Sequence, residues 1–169
     1  MSLFNRRHII SGLIVLSLGA CIFKPAYGPN GLASALSGQV LVSDPVDKNS
    51  FDFFQRLSNR LGIPTVPRYR LNYALTTSVA NVGISQANVL TRFNILGTIS
   101  WSLIELESDQ IVASGKIDNF SSYSATGSTV AELAAKEDAN IRLMRIMADQ
   151  VLLEMIASSE QLSHIKALP

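Results

Sequence analysis

Apolar and polar positions change period several times along the chain, and each change marks an element. Between residues 49 and 61, Phe51, Phe54, Leu57 and Leu61 recur at three- and four-residue spacing, with Phe53 widening the stripe. That is the signature of an amphipathic helix. Asn49 or Asp47 can cap its start, Gly62 stands where a left-handed C-terminal cap belongs, and Pro64 and Pro67 stop the helix from continuing. Before it, Val40, Leu41 and Val42 form a short apolar strand that ends at Ser43-Asp44-Pro45.

After it the period falls to two. Residues 68–77 alternate Tyr69, Leu71, Tyr73 and Leu75 with Arg68, Arg70, Asn72 and Ala74. In residues 92–106 the positions Phe93, Ile95, Ile99, Trp101 and Leu103 share a phase, and in 110–123 so do Ile111, Ala113, Gly115 and Ile117. Glu107-Ser108-Asp109-Gln110 supplies a hairpin turn between these two strands. Residues 78–90 are polar and small, which suits either a loop or part of a long strand. The final element returns to helical spacing. Thr129 and Glu132 fit a capping box, and Val130, Leu133, Ala134, Ile141, Met144, Ala148, Val151, Leu152 and Met155 make a long apolar stripe.

The element order is therefore β-α-β-β-β-α. Strands with one apolar face and helices with one apolar stripe are satisfied together in an α/β sandwich, a four-stranded mixed sheet with two helices packed on one face. The strand-helix-strand crossover predicts that the first two strands are parallel.

The N-terminal region obeys another logic. Arg6, Arg7 and His8 precede an apolar run that reaches only 15 residues even when stretched from Ile9 to Phe23. A membrane-spanning helix needs roughly 20, so the layout is that of a signal peptide. Leu18-Gly19-Ala20-Cys21 has the pattern of a bacterial lipobox, an aliphatic residue and two small ones before an acceptor thiol. The expected organisation is a lipoprotein signal peptide over 1–20, a Gly-, Pro-, Ala- and Ser-rich tether over 21–38 anchored by lipid at Cys21, a domain over 39–158 and a tail over 159–169. Cys21 is the only cysteine, so no internal disulfide is expected. Removal of the first 20 of 169 residues leaves 149, enough for one domain with its own core. Arg6 and Arg7 leave with the signal, so 14 Lys plus Arg fall to 12 against 13 Asp plus Glu, a formal charge of −1. That balance argues against a nucleic-acid partner.

Catalytic groups are sparse. The mature chain has one histidine, His164, close to its end, and no Ser-His-Asp constellation forms around it. Glu105 and Glu107, or Glu137 and Asp138, are the acid pairs, read as solvated or helix-pairing charges. No glycine-rich phosphate loop and no Cys/His cluster for a metal is present. Asn119-Phe120-Ser121 matches a glycosylation sequon, which a lipobox context makes irrelevant. The informative surface is the polar face of the sheet, where strand phase places Arg68, Arg70, Arg92 and Lys116 together as candidates for holding phosphate groups. Leu96, Ile104, Leu106, Val112 and Phe120 share that phase, which a free surface would not need and a covered interface would.

Several segments together resemble the lipopolysaccharide-assembly lipoprotein family LptE, its alphaproteobacterial branch in particular. Cys21-Ile22-Phe23-Lys24-Pro25-Ala26-Tyr27-Gly28 is similar to the family's opening, with Ile22 in place of a common glycine and Ala26 of a common leucine. Arg60-Leu61-Gly62 followed by Pro67-Arg68-Tyr69-Arg70-Leu71 resembles its helix end and second strand. Ser122-Tyr123, Ala134-Ala135-Lys136-Glu137-Asp138-Ala139 and Ala148-Asp149-Gln150 resemble its final strand and helix. The resemblance implies a non-enzymatic lipoprotein of the outer membrane, facing the periplasm. It would plug and help assemble the LptD β-barrel and assist delivery of lipopolysaccharide to the cell surface. It implies no cofactor beyond the diacylglycerol and N-acyl chain on Cys21. Arg68, Arg70, Arg92 and Lys116 would be lipopolysaccharide contacts, and Leu96, Ile104, Leu106 and Phe120 barrel contacts. The alternatives are another periplasm-facing lipoprotein, acting as a ligand-binding or structural envelope module, and a hydrolase with an unusual carboxylate site.

Overall fold

The computed structural model describes residues 36–84, 90–125 and 128–166. The signal segment, Cys21 and most of the tether lie outside the described residues. Six elements succeed one another in chain order: β1 (Val40–Val42), α1 (Lys48–Leu61), β2 (Tyr69–Ile84), β3 (Leu90–Glu105), β4 (Gln110–Ser124) and α2 (Thr129–Lys166). The strands form one mixed sheet in the order β1-β2-β3-β4, with β1 parallel to β2 and the rest antiparallel. This is the expected sandwich.

Leu36, three residues before Gln39, is the first described residue and already belongs to the packed body. Leu36 is buried, and the Gly38 N–H donates to the Leu61 carbonyl at 2.8 Å, which closes the start of the domain onto the end of α1. At the other end α2 continues to Lys166, through most of the stretch assigned to a tail.

Asp47 caps α1. Its carboxylate accepts from the Ser50 N–H at 2.7 Å, and the Ser50 hydroxyl accepts in return from the Asp47 N–H at 2.8 Å. These two bonds satisfy amides that a helix start leaves open. The Ser50 hydroxyl, 2.6 Å from the same carboxylate, and then the Ser50 N–H hold the Asp47 carboxyl below its ordinary range. At the far end Gly62 has φ 79°, a region that favours glycine, and its N–H donates to the Ser58 carbonyl. The buried stripe of α1 is Phe53, Leu57 and Leu61, with Phe54 at its margin. Phe51, expected in that stripe, is half exposed instead. Positions 53, 57 and 61 form a four-residue row, and 51 falls two residues off it, on another side of the helix.

Two differences mark α2. Ser128, not Thr129, stands before the helix, and its hydroxyl accepts from the Ala131 N–H at 3.3 Å. Thr129 is already the first helical residue, so the expected box is displaced by one position. The apolar stripe is also shorter than its sequence period: Val130, Leu133 and Ala134 are exposed, and full burial starts at Ala139. Lys48 at the start of α1 pairs with Glu137, and Arg56, two turns further along, grips Asp149 through two bonds of 3.1 and 2.7 Å. The helices thus run side by side in the same direction from about residue 137 onward, and the first two turns of α2 precede the start of α1. From there Leu143, Met144, Met147, Val151 and Met155 lie on the sheet and on α1.

The helix-covered face of the sheet carries Leu71, Ile95, Ile99, Trp101, Leu103 and Ile117. Two glycines let α2 approach. A Cβ on Gly97 would lie 2.8 Å from the Met147 sulfur, and one on Gly115 would lie 2.7 Å from a Glu154 carboxylate oxygen and 2.8 Å from the Trp101 Nε1. The space at Gly115 is filled by a hydrogen bond, Trp101 Nε1 donating to Glu154 at 3.1 Å. Among the described residues no buried side-chain polar atom lacks a partner.

Candidate interaction surface

Both helices occupy one face, so the other is defined by register alone. Residues directly opposite in neighbouring strands share a face, and the pairings give seven rows across the open side. From the hairpin end they run Leu41, Arg70, Ile104 and Ile111; Asn72, Ser102 and Ser114; Ala74, Ser100 and Lys116; Thr76, Thr98 and Asp118; Ser78, Leu96 and Phe120; Ala80, Asn94 and Ser122; and Gly83, Arg92 and Ser124. The chemistry is banded. A hydroxyl-rich middle separates an aliphatic row, Leu41, Ile104 and Ile111, from the pair Leu96 and Phe120.

One row was misplaced by strand alternation. Leu103 pairs with Ala113 but Ile104 pairs with Ile111, so β4 carries one extra residue at Val112. This bulge reverses the phase of everything before it. Ile111, expected under the helices, is 64% exposed on the open face opposite Ile104, and Val112, expected on the open face, packs against the core. Leu106 is also displaced: it comes directly after the last residue of β3, half-buried in the turn, with its N–H donating to the Arg68 carbonyl at 2.8 Å.

Three of the four candidate cations, Arg70, Lys116 and Arg92, fall in these rows but do not converge, and Arg68 lies just before β2, outside them. Arg70 stands opposite Ile104, and Arg92 is 12 residues away along β3, about 40 Å at the rise of a strand. Lys116 is opposite Ser100, roughly 13 Å along the strands from the Arg70 row. Two of the four have carboxylate partners. Arg68 lies 3.9 Å from Glu105 and over the Tyr69 ring, and Lys116 lies 3.5 Å from Asp118. The Thr98 hydroxyl, helped by the Lys116 ammonium, holds the Asp118 carboxyl below its ordinary range. No ion pair joins Arg70 or Arg92 to another described residue.

Three of the four acids considered as catalytic pairs are engaged elsewhere. Glu105 accepts from Ser108 and faces Arg68, Glu137 pairs with Lys48, and Asp138 pairs with Arg142 at 2.8 Å. Arg142 also donates to the Ser121 hydroxyl and the Ser122 carbonyl, a tie between α2 and β4 with no sequence signature. Asn119 of the sequon donates to Gln150 on α2 at 3.1 Å. His164 lies in α2, and its side chain is outside the described residues. Among the described residues no three metal-ligating side chains gather, and no helix is long and apolar enough to cross a membrane. One cleft of about 350 Å³ lies between β4 and α2 beside Lys116, Asp118, Gln150 and Glu154, and another of about 440 Å³ between the helices beside Asp52, Arg56, Asn59 and Arg145. Both are lined chiefly by polar and charged groups, unlike the apolar clefts that take most small ligands.

No family model matches the chain, and no curated protein matches it. Solved structures do. A candidate lipoprotein from Caulobacter crescentus CB15 is similar with a TM-score of 0.63 at 18% identity, over 77% of this chain and 96% of that one. The rare lipoprotein B from Shewanella oneidensis is similar with a TM-score of 0.58 at 14% identity, over 75% and 98%. An uncharacterised lipoprotein B from Nitrosomonas europaea gives 0.54 at 14%, over 75% and 87%. The chain has the fold of these bacterial lipoproteins: two helices on one face of a four-stranded mixed sheet.

Proposed function

We propose that this chain is an LptE-like lipoprotein of the outer membrane, anchored through Cys21 and facing the periplasm. It fills part of the lumen of the LptD β-barrel, helps that barrel assemble, and assists lipopolysaccharide delivery. The observation that carries the reading is the banded open face, with Leu41, Ile104 and Ile111 at one end, Leu96 and Phe120 towards the other, and hydroxyls between. A water-filled barrel lumen is polar, and a plug within it needs apolar and polar contacts interleaved. The similarity in fold to the rare lipoprotein B from Shewanella oneidensis supports the lipoprotein part of the reading.

Lipopolysaccharide phosphates would be met by Arg68, Arg70, Arg92 and Lys116. Arg70 and Arg92 offer guanidinium forks without an ion pair to break among the described residues, whereas Arg68 and Lys116 must first leave Glu105 and Asp118. A span of about 40 Å between Arg70 and Arg92 means separate contacts along one track, not a single pocket.

The test is photocrosslinking in cells from a reactive residue at Ile104 or Phe120, with depletion of the lipoprotein alongside. Crosslinks to an outer-membrane barrel, and loss of correctly assembled barrel on depletion, are the expected results. Crosslinks only to soluble periplasmic proteins, with normal barrel levels, would overturn the assignment.

A further inference from the structure

The sheet has two edges, and they are guarded differently. β4 carries Lys116 and Asp118, charges of the kind that discourage strand addition. β2 carries neither a charge nor a proline from Leu71 to Ile84. β1 covers only Tyr69, Arg70 and Leu71, and the last bond on that side is from the Ser43 N–H to the Leu71 carbonyl at 3.0 Å. The chain then turns away through Asp44 and Pro45 to α1.

Leu71 fixes the orientation of the residues after it. Its carbonyl and the Tyr69 N–H both point towards β1, so alternate residues Tyr73, Leu75, Thr77 and Val79 point their N–H and C=O groups the same way, where β1 has ended. The register with β3 is unbroken from Tyr69 to Asn81, so the alternation holds throughout. The side chains flanking this edge on the open face, Ala74, Thr76, Ser78 and Ala80, are small and uncharged. Beside its start is a cleft of about 310 Å³ lined by Asp44, Asp47, Tyr73 and Leu75 among others. Its field is negative: burial, then the charges of Asp47 and Asp44, push the Tyr73 hydroxyl up to about 12.

We propose that the edge of β2 over Tyr73, Leu75, Thr77 and Val79, unpaired among the described residues, takes an extended peptide segment as an added strand, and that this segment brings one Lys or Arg side chain to Asp44 and Asp47. Main-chain hydrogen bonds supply the binding and the alternate side chain supplies selectivity, as in other strand additions. An uncharged edge with a paired acidic cleft at one end fits a segment that is itself uncharged apart from that one cation. The inference rests on β2 and its surroundings and does not depend on the barrel reading.

The experiment measures amide hydrogen exchange by NMR in the mature full chain in detergent micelles. The probe is the end-capped heptapeptide Thr-Val-Arg-Val-Thr-Val-Thr. Without it, the amides of Tyr73, Leu75, Thr77 and Val79 exchange faster than those of Ala74, Thr76, Ser78 and Ala80, which bond to β3. With it, the first set slows by about tenfold or more. Replacing the peptide's Arg by Glu weakens binding by about tenfold, Asp44→Asn narrows that difference, and N-methylation of alternate peptide amides abolishes protection. Three results would overturn the proposal. The first is no slowing up to millimolar peptide. The second is edge amides already slow in dilute peptide-free protein, which means that the chain covers its own edge. The third is slowing that tracks protein concentration alone, which means a second copy.

Discussion

The two faces of the sheet are built from the same strands, yet they obey different rules. On the covered face, side chains meet α1 and α2 at van der Waals distance, glycine is required at positions 97 and 115, and the one indole N–H is matched by Glu154. On the open face, aliphatic groups sit in two separate bands, most hydroxyls face solvent, and the cations are spread along its length. One face is determined by internal packing, and under the proposed function the other is determined by the partner it meets. Stability and interaction can therefore be mutated separately in this domain.

The sharpest way to break that comparison uses one residue type on both faces. Phe53 is fully buried and its ring centroid lies 4.8 Å from that of Tyr73, whereas Phe120 is 55% exposed. Phe53→Ala is expected to destabilise the fold by about 3–5 kcal/mol, through lost transfer energy and a cavity. Phe120→Ala is expected to stay within about 0.5 kcal/mol. Urea unfolding of the two variants decides the matter, and equal losses would mean that the open face belongs to the core.

A second and smaller effect concerns close approach. Gly115→Ala places a methyl against Glu154 and Trp101 at distances that real Cβ atoms do not show, so α2 must shift or the indole bond must open. We expect a loss of about 1–3 kcal/mol, with a change in Trp101 fluorescence as the local readout. Ser114→Ala, one residue away on the open face, should leave both unchanged.

Much of this division was legible in the residues. Two-residue alternation gave the correct faces for β2 and β3, and the stripe through Phe54, Leu57 and Leu61, widened by Phe53, gave α1 its buried side except at Phe51. The bulge at Val112 was not legible, because Gln110-Ile111-Val112-Ala113 contains only residues at home in a strand and an inserted residue leaves no mark on composition. The displaced cap of α2 has a similar cause: Ser128 and Thr129 are both good capping residues, and only the backbone decides between them. Strand phase told which cations share a side but nothing about distance along it, so Arg70 and Arg92 were grouped across about 40 Å. The apolar period of α2 also ran ahead of its packing partner, which begins opposite Glu137. For β2 the weak alternation of Ser78, Val79, Ala80 and Asn81 was decided by pairing with β3.

Acid should separate the faces through two carboxyls, one beside each. Asp47 and Asp118 are both held below the ordinary value of 3.8. A carboxyl depressed in the folded state contributes stability above its unfolded pKa, and that contribution is lost as pH falls through the folded value. Asp47 secures the start of α1, so Asp47→Ala should cost about 1 kcal/mol at neutral pH. The difference between variant and parent should shrink as pH drops below 3.8. Asp118 is exposed and solvent screens its contacts with Thr98 and Lys116, so Asp118→Asn should shift the unfolding midpoint less than Asp47→Ala does, with the same sense of pH dependence. Thermal melts from neutral pH into the acid range would show a wide, converging gap for the first substitution and a much narrower one for the second.

The smallest expected effect is the most informative about the open face. Arg70 and Arg92 lie in its first and last rows, and no ion pair ties either to a described residue. Charge reversal at an exposed site without a packing role changes stability by less than about 0.5 kcal/mol, so the double variant Arg70→Glu with Arg92→Glu should unfold within about 1 kcal/mol of the parent. Arg68→Glu differs, since it sets a second carboxylate against Glu105 and removes the contact over Tyr69. The partner-facing readout should move in the opposite order. If phosphate groups contact this track, the double variant should lose lipopolysaccharide binding at fixed low salt, and the loss should fade as added salt screens the exposed charges. A double variant that keeps full affinity for lipopolysaccharide would remove Arg70 and Arg92 from the contact track, while one that unfolds would show that this face is part of the scaffold after all.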